Sequence, residues 1–183
     1  MTVQELSIPE IKLITPTYFE DYRGYYCETY SKRTFASIGI DDCFVQDNHF
    51  FCIRRGTVRG IHFQNAPHAQ SKLVRCTKGS LIDVAVDLRK HSPTYKKWVS
   101  VILSAENRKQ IYIPKGFGHC CIALEDGTEG QYKVDELYYP EYDRAIAWND
   151  PELGIEWGLQ LSEMVVSPKD KKAPLLKDSD VNF

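Results

Sequence analysis

The segment Leu81-Ile-Asp-Val-Ala-Val-Asp-Leu88 decides the fold class, because its side chains alternate in polarity along the chain. Every second residue from Ile82 to Leu88 is aliphatic, whereas the intervening positions include Asp83 and Asp87. Successive side chains of a β-strand point to opposite faces of its sheet. The period of two therefore predicts a strand with one strongly apolar face.

Five further segments have the composition of strands, and short turn signals separate them. Because Ser104 to Asn107 resembles a turn, the segments on either side of it are predicted to form a hairpin. Short strands at this spacing favour a sandwich, barrel or jelly roll, so the fold is predicted to be all-β with a few short helices. The strand candidates are Val58 to Phe63, Ser71 to Thr77, Trp98 to Leu103, Gln110 to Ile113 and Gly130 to Glu136.

Helical patterning is scarce, and the clearest case is Ser31 to Ile38, with Ser31 as the expected N-cap. The length of 183 residues is typical of one domain, so residues 1–183 are predicted to form a single domain. Six cysteines occur, at positions 27, 43, 52, 76, 120 and 121. They are expected to be reduced thiols that pack as small apolar residues.

The overall charge excludes some classes of partner. A formal net charge of −2 lacks the basic excess of nucleic-acid or membrane-surface binders.

No apolar stretch approaches the ~20 residues that cross a bilayer. Met1 to Glu10 lacks the basic start and apolar run of a signal peptide, so a cytoplasmic protein is expected.

A metal site is not expected from the polar residues that interrupt the predicted strands. Pro114 to His119 resembles the second metal motif of the cupin superfamily, which would also need His-x-His and then glutamate upstream. Here that stretch reads His62-Phe-Gln64, no glutamate follows before Gly79, and Lys72 lies in the segment. A protonated lysine does not ligate a metal and repels a cation. No metal or other cofactor is therefore predicted.

The same polar residues suit proton transfer. Histidine is the commonest side-chain base near neutral pH, and tyrosine can donate a proton. Lysine can stabilise a negative oxygen, and aspartate can fix the tautomer of a histidine. On spacing alone a second interpretation stays open, in which His62 and His119 are satisfied core histidines and Tyr132 is a core aromatic.

Nine short motifs in a fixed order carry a resemblance to a known family. They are Asp21-Tyr-Arg-Gly24 with Glu28, Phe44-Val-Gln-Asp-Asn48, Gly56-Thr-Val-Arg-Gly-Ile-His62, Ala69-Gln-Ser-Lys-Leu-Val-Arg75, Asp83-Val-Ala-Val-Asp87, Leu103-Ser-Ala-Glu-Asn107, Ile113-Pro-Lys-Gly-Phe-Gly-His119, Trp148-Asn-Asp-Pro151 and Ser167-Pro-Lys-Asp170. Through them the chain resembles the dTDP-4-dehydrorhamnose 3,5-epimerase family of the cupin superfamily, from about Ile8 to Leu176. The resemblance implies a cupin-type double-sheet jelly roll.

The resemblance also implies the catalytic set. His62 matches the general base, and Asp170 matches the acid that pairs with it. Tyr132 matches the proton donor on the opposite face of the sugar. Lys72 matches the residue near the sugar ketone, where an enolate oxygen forms.

Substrate contacts are implied in the same way. Arg59, Gln46 and Asn48 match contacts to the nucleotide diphosphate, and Tyr138 matches the aromatic that stacks on the base. The family forms homodimers with exchanged N-terminal strands, which would lend two residues to the partner's site. The remaining matched contacts are His119, Asp143 and Lys169, and the lent residues are Arg23 and Glu28.

Two departures from the family pattern affect this expectation. Cys120 and Cys121 stand where the family usually has a glycine and an aromatic, which implies a reshaped pocket floor. Asp143 stands where a glutamate is usual, which implies altered nucleotide contacts. Relatives of this architecture act on other nucleotide sugars, including GDP- or CDP-linked heptoses, so the resemblance leaves the sugar and the nucleotide open.

The prediction is therefore an isomerase in dTDP-rhamnose and cell-surface polysaccharide biosynthesis. It would invert C3, C5 or both, beside the C4 ketone of a dTDP-4-keto-6-deoxyhexose, by His/Tyr acid–base transfer through an enolate. One alternative is a single-site epimerase or a 3,4-ketoisomerase acting on another nucleotide sugar. Others are a non-catalytic sugar-nucleotide binding module and a metal-dependent cupin oxygenase or isomerase.

Overall fold

The computed structural model describes all residues from 1 to 183. Fourteen strands and one short α-helix account for the regular structure, together with three 3-10 turns at 161–163, 170–172 and 176–178. The strands are β1 (Thr2–Glu5), β2 (Lys12–Thr15), β3 (Tyr18–Asp21), β4 (Gly24–Cys27), β5 (Gln46–Cys52), β6 (Thr57–Gln64), β7 (Lys72–Lys78), β8 (Ser80–Asp87), β9 (Trp98–Ser104), β10 (Gln110–Ile113), β11 (Phe117–Ala123), β12 (Thr128–Val134), β13 (Asp143–Ala145) and β14 (Val165–Val166), and the helix is α1 (Lys32–Ala36).

Two sheets form the body of the protein. The first has the order β1-β2-β10-β7-β12-β5, and the second has the order β13-β6-β11-β8-β9. The short strand β14 pairs in parallel with β6, whereas the neighbours within these two orders are antiparallel. Strands β3 and β4 form a separate hairpin. The predicted all-β, double-sheet fold is confirmed.

The predicted hairpin across Ser104 to Asn107 is wrong. Strand β9 pairs with β8 in the second sheet, whereas β10 pairs with β2 and β7 in the first. The turn itself exists, since the Asn107 backbone N–H donates to Ser104 Oγ at 2.8 Å and Asn107 Oδ1 accepts from the Ser104 backbone N–H at 3.1 Å. Arg108 follows with a φ of 55°. The turn therefore carries the chain from one sheet to the other instead of reversing it within a sheet.

The predicted helix is confirmed, but it is shorter than Ser31 to Ile38. Ser31 occupies the N-cap position without a side-chain hydrogen bond to the helix. Phe35 anchors α1 against the outer face of the first sheet, in a cluster with Ile14, Ile40 and Leu73. None of the helices has the length and apolar composition that crossing a bilayer requires.

Strand β8 separates two hydrophobic cores. Leu81 and Ala85 belong to the cluster between the two sheets. Val84 and Val86 belong to a second cluster on the outer face of the second sheet, where the C-terminal segment covers them. The strongly apolar face predicted for this strand therefore points away from the first sheet and is covered by the C-terminal segment. The face with the two aspartates points between the sheets.

The C-terminal segment is fixed onto the second sheet by several contacts. Leu176 is buried in the outer cluster, and its backbone N–H donates to Asp150 Oδ2 at 2.6 Å. The ring of Phe183 packs against Phe63 with centroids 5.9 Å apart. The segment is thus part of the folded core and holds residue 170 at the rim of the second sheet.

All six cysteines are free thiols. Cys52, Cys76, Cys120 and Cys121 are buried, as predicted from their apolar character. Cys43 is exposed, so the packing prediction is wrong for that residue.

Candidate active site

A cavity of about 300 Å³ has walls from both sheets. The first sheet contributes side chains from β5, β7 and β12, and the second contributes side chains from β6, β11 and β13. Eight of the predicted site residues line it, in company with a few aromatic and amide side chains. The lining residues are Phe50, Arg59, His62, Phe63, Gln64, Gln70, Lys72, His119, Cys121, Tyr132, Tyr138, Asp143 and Lys169.

His62 and Asp170 form a hydrogen-bonded pair at the cavity wall. His62 lies on β6, and its Nε2 is 2.6 Å from Oδ1 of Asp170, which is only 5% exposed. The Asp170 backbone N–H donates to Ser167 Oγ at 3.1 Å, which fixes the turn that carries the carboxylate. Burial alone would raise the pKa of Asp170, but the hydrogen bond from His62 and the adjacent imidazole charge hold that pKa below its usual value. An ionised Asp170 accepts from Nε2–H, and in the neutral ring this leaves Nδ1 as the basic nitrogen.

Lys72 opens β7 on the opposite sheet and is buried, with 7% of its surface exposed. Its Nζ donates to the backbone oxygen of His62 at 3.4 Å. Burial lowers the pKa of this amine to about 8, against the opposing pull of Asp83 and Asp143. The side chain is therefore still largely an ammonium at neutral pH.

Tyr132 lies on β12 of the first sheet, so its ring and His62 stand on opposite walls of the cavity. The ring centroid is 6.0 Å from Lys72 Nζ and 6.5 Å from the ring centroid of Phe50. Burial raises the pKa of its hydroxyl, so the hydroxyl keeps its proton at neutral pH. A proton donor and a base thus face one space from two sides.

A second histidine–aspartate pair lies beside the first. His119 on β11 is paired in register with His62 on β6. Its Nε2 is 2.9 Å from Oδ2 of Asp83, which is fully buried on β8. Burial lowers the pKa of His119, although the Asp83 carboxylate opposes this shift.

The rim of the cavity carries cations and an exposed aromatic ring. The Tyr138 hydroxyl donates to Asp143 Oδ2 at 3.2 Å, and Lys169 Nζ donates to the same oxygen at 2.5 Å. The Arg59 guanidinium lies 5.4 Å from the Phe50 ring centroid and donates to the backbone oxygen of Phe51 at 2.9 Å. Such cations suit an anionic ligand, and an exposed ring suits a flat one.

Four predicted contacts lie outside this cavity in the single chain. Gln46 and Asn48 share the face of the first sheet on which Tyr132 lies, and Gln46 Nε2 donates to Asn48 Oδ1 at 2.9 Å. Arg23 is on the β3–β4 hairpin, paired at 2.6 Å with Asp21. Glu28 accepts from Thr34 Oγ1 at 2.9 Å. Their assignment to the site remains a prediction.

The structure gives Gln64 and Asp83 contacts that the sequence did not predict, and it separates Cys121 from Cys120. Gln64 ties together the loops at the cavity mouth, since its amide donates to the backbone oxygens of His68 and Leu137 and accepts from the Tyr139 backbone N–H. Cys121 lines the cavity, in agreement with its predicted place at the pocket floor, whereas Cys120 packs in the outer cluster and is not part of the lining. Asp83 pairs with His119, and the sequence showed it only as an acid within an apolar alternation and as the first residue of a family motif, without a role.

No group of three or more His, Cys, Asp and Glu side chains has an arrangement that could hold a metal ion. The ionisable residues instead form pairs, with one carboxylate for each of the two cavity histidines.

Known proteins resemble this chain over nearly its full length. The family model of dTDP-4-dehydrorhamnose 3,5-epimerase matches residues 5–178. An enzyme of that name from Sinorhizobium fredii is 48% identical over 183 residues, which is 100% of this chain and 93% of the relative.

Two solved structures extend the comparison. The first is dTDP-6-deoxy-D-glucose-3,5-epimerase from Legionella pneumophila in complex with dTDP-4-keto-L-rhamnose, with a TM-score of 0.93 and 40% identity over 98% of this chain and 94% of that chain. The second is a 3'-monoepimerase from Streptomyces bikiniensis in complex with dTDP-quinovose, with a TM-score of 0.87 and 32% identity over 94% of this chain and 87% of that one.

Proposed function

The chain belongs to the dTDP-4-dehydrorhamnose 3,5-epimerase family, and on that premise we propose that it inverts C3 and C5 of a dTDP-linked 4-keto-6-deoxyhexose. The observation that carries the proposal is the placement of His62, backed by Asp170, and of Tyr132 on opposite walls of one cavity. The relatives at 40–48% identity bear the name of the double epimerase, which favours inversion at both carbons.

The reaction follows from the acidity of carbons beside a carbonyl. A C–H bond at C3 or C5 becomes removable because the C4 ketone accepts the electron pair as an enolate. Nδ1 of His62 takes the proton from one face of the ring, and the Asp170 carboxylate stabilises the resulting imidazolium. The Tyr132 hydroxyl then returns a proton to the opposite face of the same carbon. His62 releases its proton to solvent and Tyr132 regains one, which restores the pair before the second inversion. Each acid–base step is worth about 10²–10⁴ in rate.

The enolate oxygen needs a positive partner, and Lys72 suits this role. Its ammonium is buried, and its one protein hydrogen bond, to the His62 backbone oxygen, is long at 3.4 Å. Two N–H donors thus remain for the ketone oxygen as negative charge develops there. A donor of this kind contributes about 10²–10³ in rate when it lies in a dry site.

The nucleotide would occupy the rim. Arg59 and Lys169 supply charge for the diphosphate, and Tyr138, which is 54% exposed, offers a ring face to the base. Gln46 and Asn48 extend this surface along the first sheet. Contacts from His119 and Asp143 complete the substrate set that we propose.

We place Arg23 and Glu28 in the site of a second subunit of a homodimer. Within one chain neither reaches the cavity, and the hairpin that carries Arg23 is highly exposed. Sedimentation equilibrium tests the dimer. Mixing an Arg23→Ala chain with a Tyr132→Phe chain should restore activity in the mixed dimer, and failure of this complementation would argue that each site is built from a single chain.

Proton NMR in deuterated buffer tests the reaction itself. The enzyme at catalytic concentration, given dTDP-4-keto-6-deoxyglucose, should place deuterium at both C3 and C5 of the sugar. Deuterium at C3 alone would assign the chain to the monoepimerase type represented by the Streptomyces bikiniensis structure. Nucleotide-sugar binding without any exchange would instead indicate a binding module.

A further inference from the structure

Asp83 is a buried acidic side chain that the proposed mechanism does not use. It is 0% exposed, and its Oδ2 is 2.9 Å from Nε2 of His119. Its other oxygen, Oδ1, is buried and has no hydrogen-bond partner. A buried carboxylate oxygen without a partner is costly, so a compensating positive charge is expected close by.

The position of Asp83 in the sheet explains which charge compensates it. Strand β8 turns Asp83 toward the space between the sheets, in register with Cys121 of the cavity wall. Lys72 is buried in the same space on the opposite sheet, and the polar contact of its Nζ is the long hydrogen bond to the His62 backbone oxygen. Among the charges that raise the pKa of Lys72 against the effect of burial, Asp83 has the largest effect.

We propose that Asp83 is a positioning residue with two roles: Oδ2 fixes the tautomer of His119, and the carboxylate supplies the buried negative charge that keeps Lys72 an ammonium. This inference rests on the proposed function, because it deepens the part played by Lys72 at the enolate. Without that charge, burial would deprotonate Lys72 near neutral pH, and a neutral amine stabilises an enolate oxygen far less.

Other ionisable groups also surround Lys72, but none of them offers it a free negative charge. Tyr132 stays neutral, His62 is committed to Asp170, and Asp143 is shared with Lys169 and Tyr138 at the rim. Burial raises the pKa of the Cys120 and Cys121 thiols, which keeps them neutral. Asp83 is therefore the carboxylate most available to Lys72. The groups around Lys72 are Asp83 on β8, His62 on β6, His119, Cys120 and Cys121 on β11, Tyr132 on β12 and Asp143 on β13.

The test is the pH dependence of Asp83→Asn, which keeps the shape and removes the charge. In the variant the pKa of Lys72 should fall by about one unit or more, and the alkaline limb of kcat should move to lower pH by the same amount. A matched control is Asp87→Asn, which removes another fully buried aspartate from the same face of β8. Asp87 is held by Arg89, Ser92 and Thr94 outside the cavity, so its loss should lower stability without moving the limb.

Titration of the Lys72 amine by ¹⁵N NMR, assigned with Lys72→Met, gives the same comparison without substrate. A failure of this proposal is thus distinguishable from a failure of the proposed reaction. An unchanged Lys72 pKa in Asp83→Asn, with a uniform loss of kcat at every pH, would overturn the proposal. If Asp83→Asn does not fold, Asp83→Ser replaces it, and ¹⁵N spectra of wild-type His119 remain decisive: an unprotonated Nε2 near neutral pH refutes the tautomer role.

Discussion

The substitution Asp170→Asn isolates what a carboxylate does for His62. The amide has the shape of the carboxylate, and the site is 5% exposed, so the backbone and the cavity should be unchanged. The hydrogen bond between His62 Nε2 and Asp170 Oδ1, now 2.6 Å, loses its charge. Hydrogen bonds to charged groups contribute about 1.5–3 kcal/mol, against about 1 for neutral ones.

The kinetic consequence is larger than this difference, because an asparagine can also donate to Nε2 and select the wrong tautomer. A ring with Nε2 unprotonated carries its proton on Nδ1, where the base is needed. We therefore expect kcat to fall by between about 10² and 10⁴, as in other histidine–aspartate pairs. The KM should change little, because Asp170 is not among the residues that line the cavity.

The assay measures kcat and KM for deuterium incorporation at C3 and C5, with Asp178→Asn as the control. Asp178 is an exposed carboxylate in the next 3-10 turn and should be silent. A rise in KM at unchanged kcat would refute the reasoning and make Asp170 a binding group. Stability gives a second reading: the folded pKa of Asp170 is lowered, so its stabilising effect is present above its unfolded pKa and disappears as pH falls through the folded value.

Three further outcomes are expected. Tyr132→Phe should keep the fold and lose inversion by about 10²–10⁴ while solvent exchange persists, and inversion at the wild-type rate would remove Tyr132 as the acid. Lys72→Met should lose turnover. Because burial lowers the Lys72 pKa to about 8, the wild type should gain stability against urea relative to this variant as pH rises from 8 toward 10.5, and a stability difference that does not change over that range would contradict the burial argument. Gly60→Ala would place a methyl group 2.4 Å from the His119 backbone oxygen. It should lower the free energy of unfolding by about 1–3 kcal/mol more than Gly24→Ala, because Gly24 has the same φ of 129° but open space around it. Equal losses of unfolding free energy in urea would show that the contact is not limiting.

The sequence predicted six of the fourteen strands and the short helix, and the family resemblance named eight of the residues that line the cavity. Alternation in the segment around Asp83 marked a strand, because the period of two is a local property of the chain. The separate pairing partners of β9 and of β10 were not predictable in this way. A turn has the same composition whether it reverses the chain within a sheet or carries it to another sheet.

The orientation of β8 was equally hidden. Both of its faces are buried, one between the sheets and one under the C-terminal segment, and hydrophobicity does not distinguish two covered faces. A long-range contact such as that between His62 and Asp170, 108 residues apart, has no local signal at all. Only the resemblance to a family linked these two residues before the structure did.

The contacts of Asp170 join the proposed catalytic pair to the packing of the C-terminal segment. One short stretch presents this carboxylate to His62 and, six residues later, buries Leu176 in the outer cluster. Peripheral segments open at lower free energy than central strands. Heating should therefore abolish activity reversibly at a temperature at which the sheets are still folded. The midpoint of activity loss should lie below the midpoint of unfolding measured by circular dichroism. Phe183→Ala removes the ring that packs on Phe63 and should widen the difference between the two midpoints. The packing of the C-terminal segment would then set the temperature at which activity is lost.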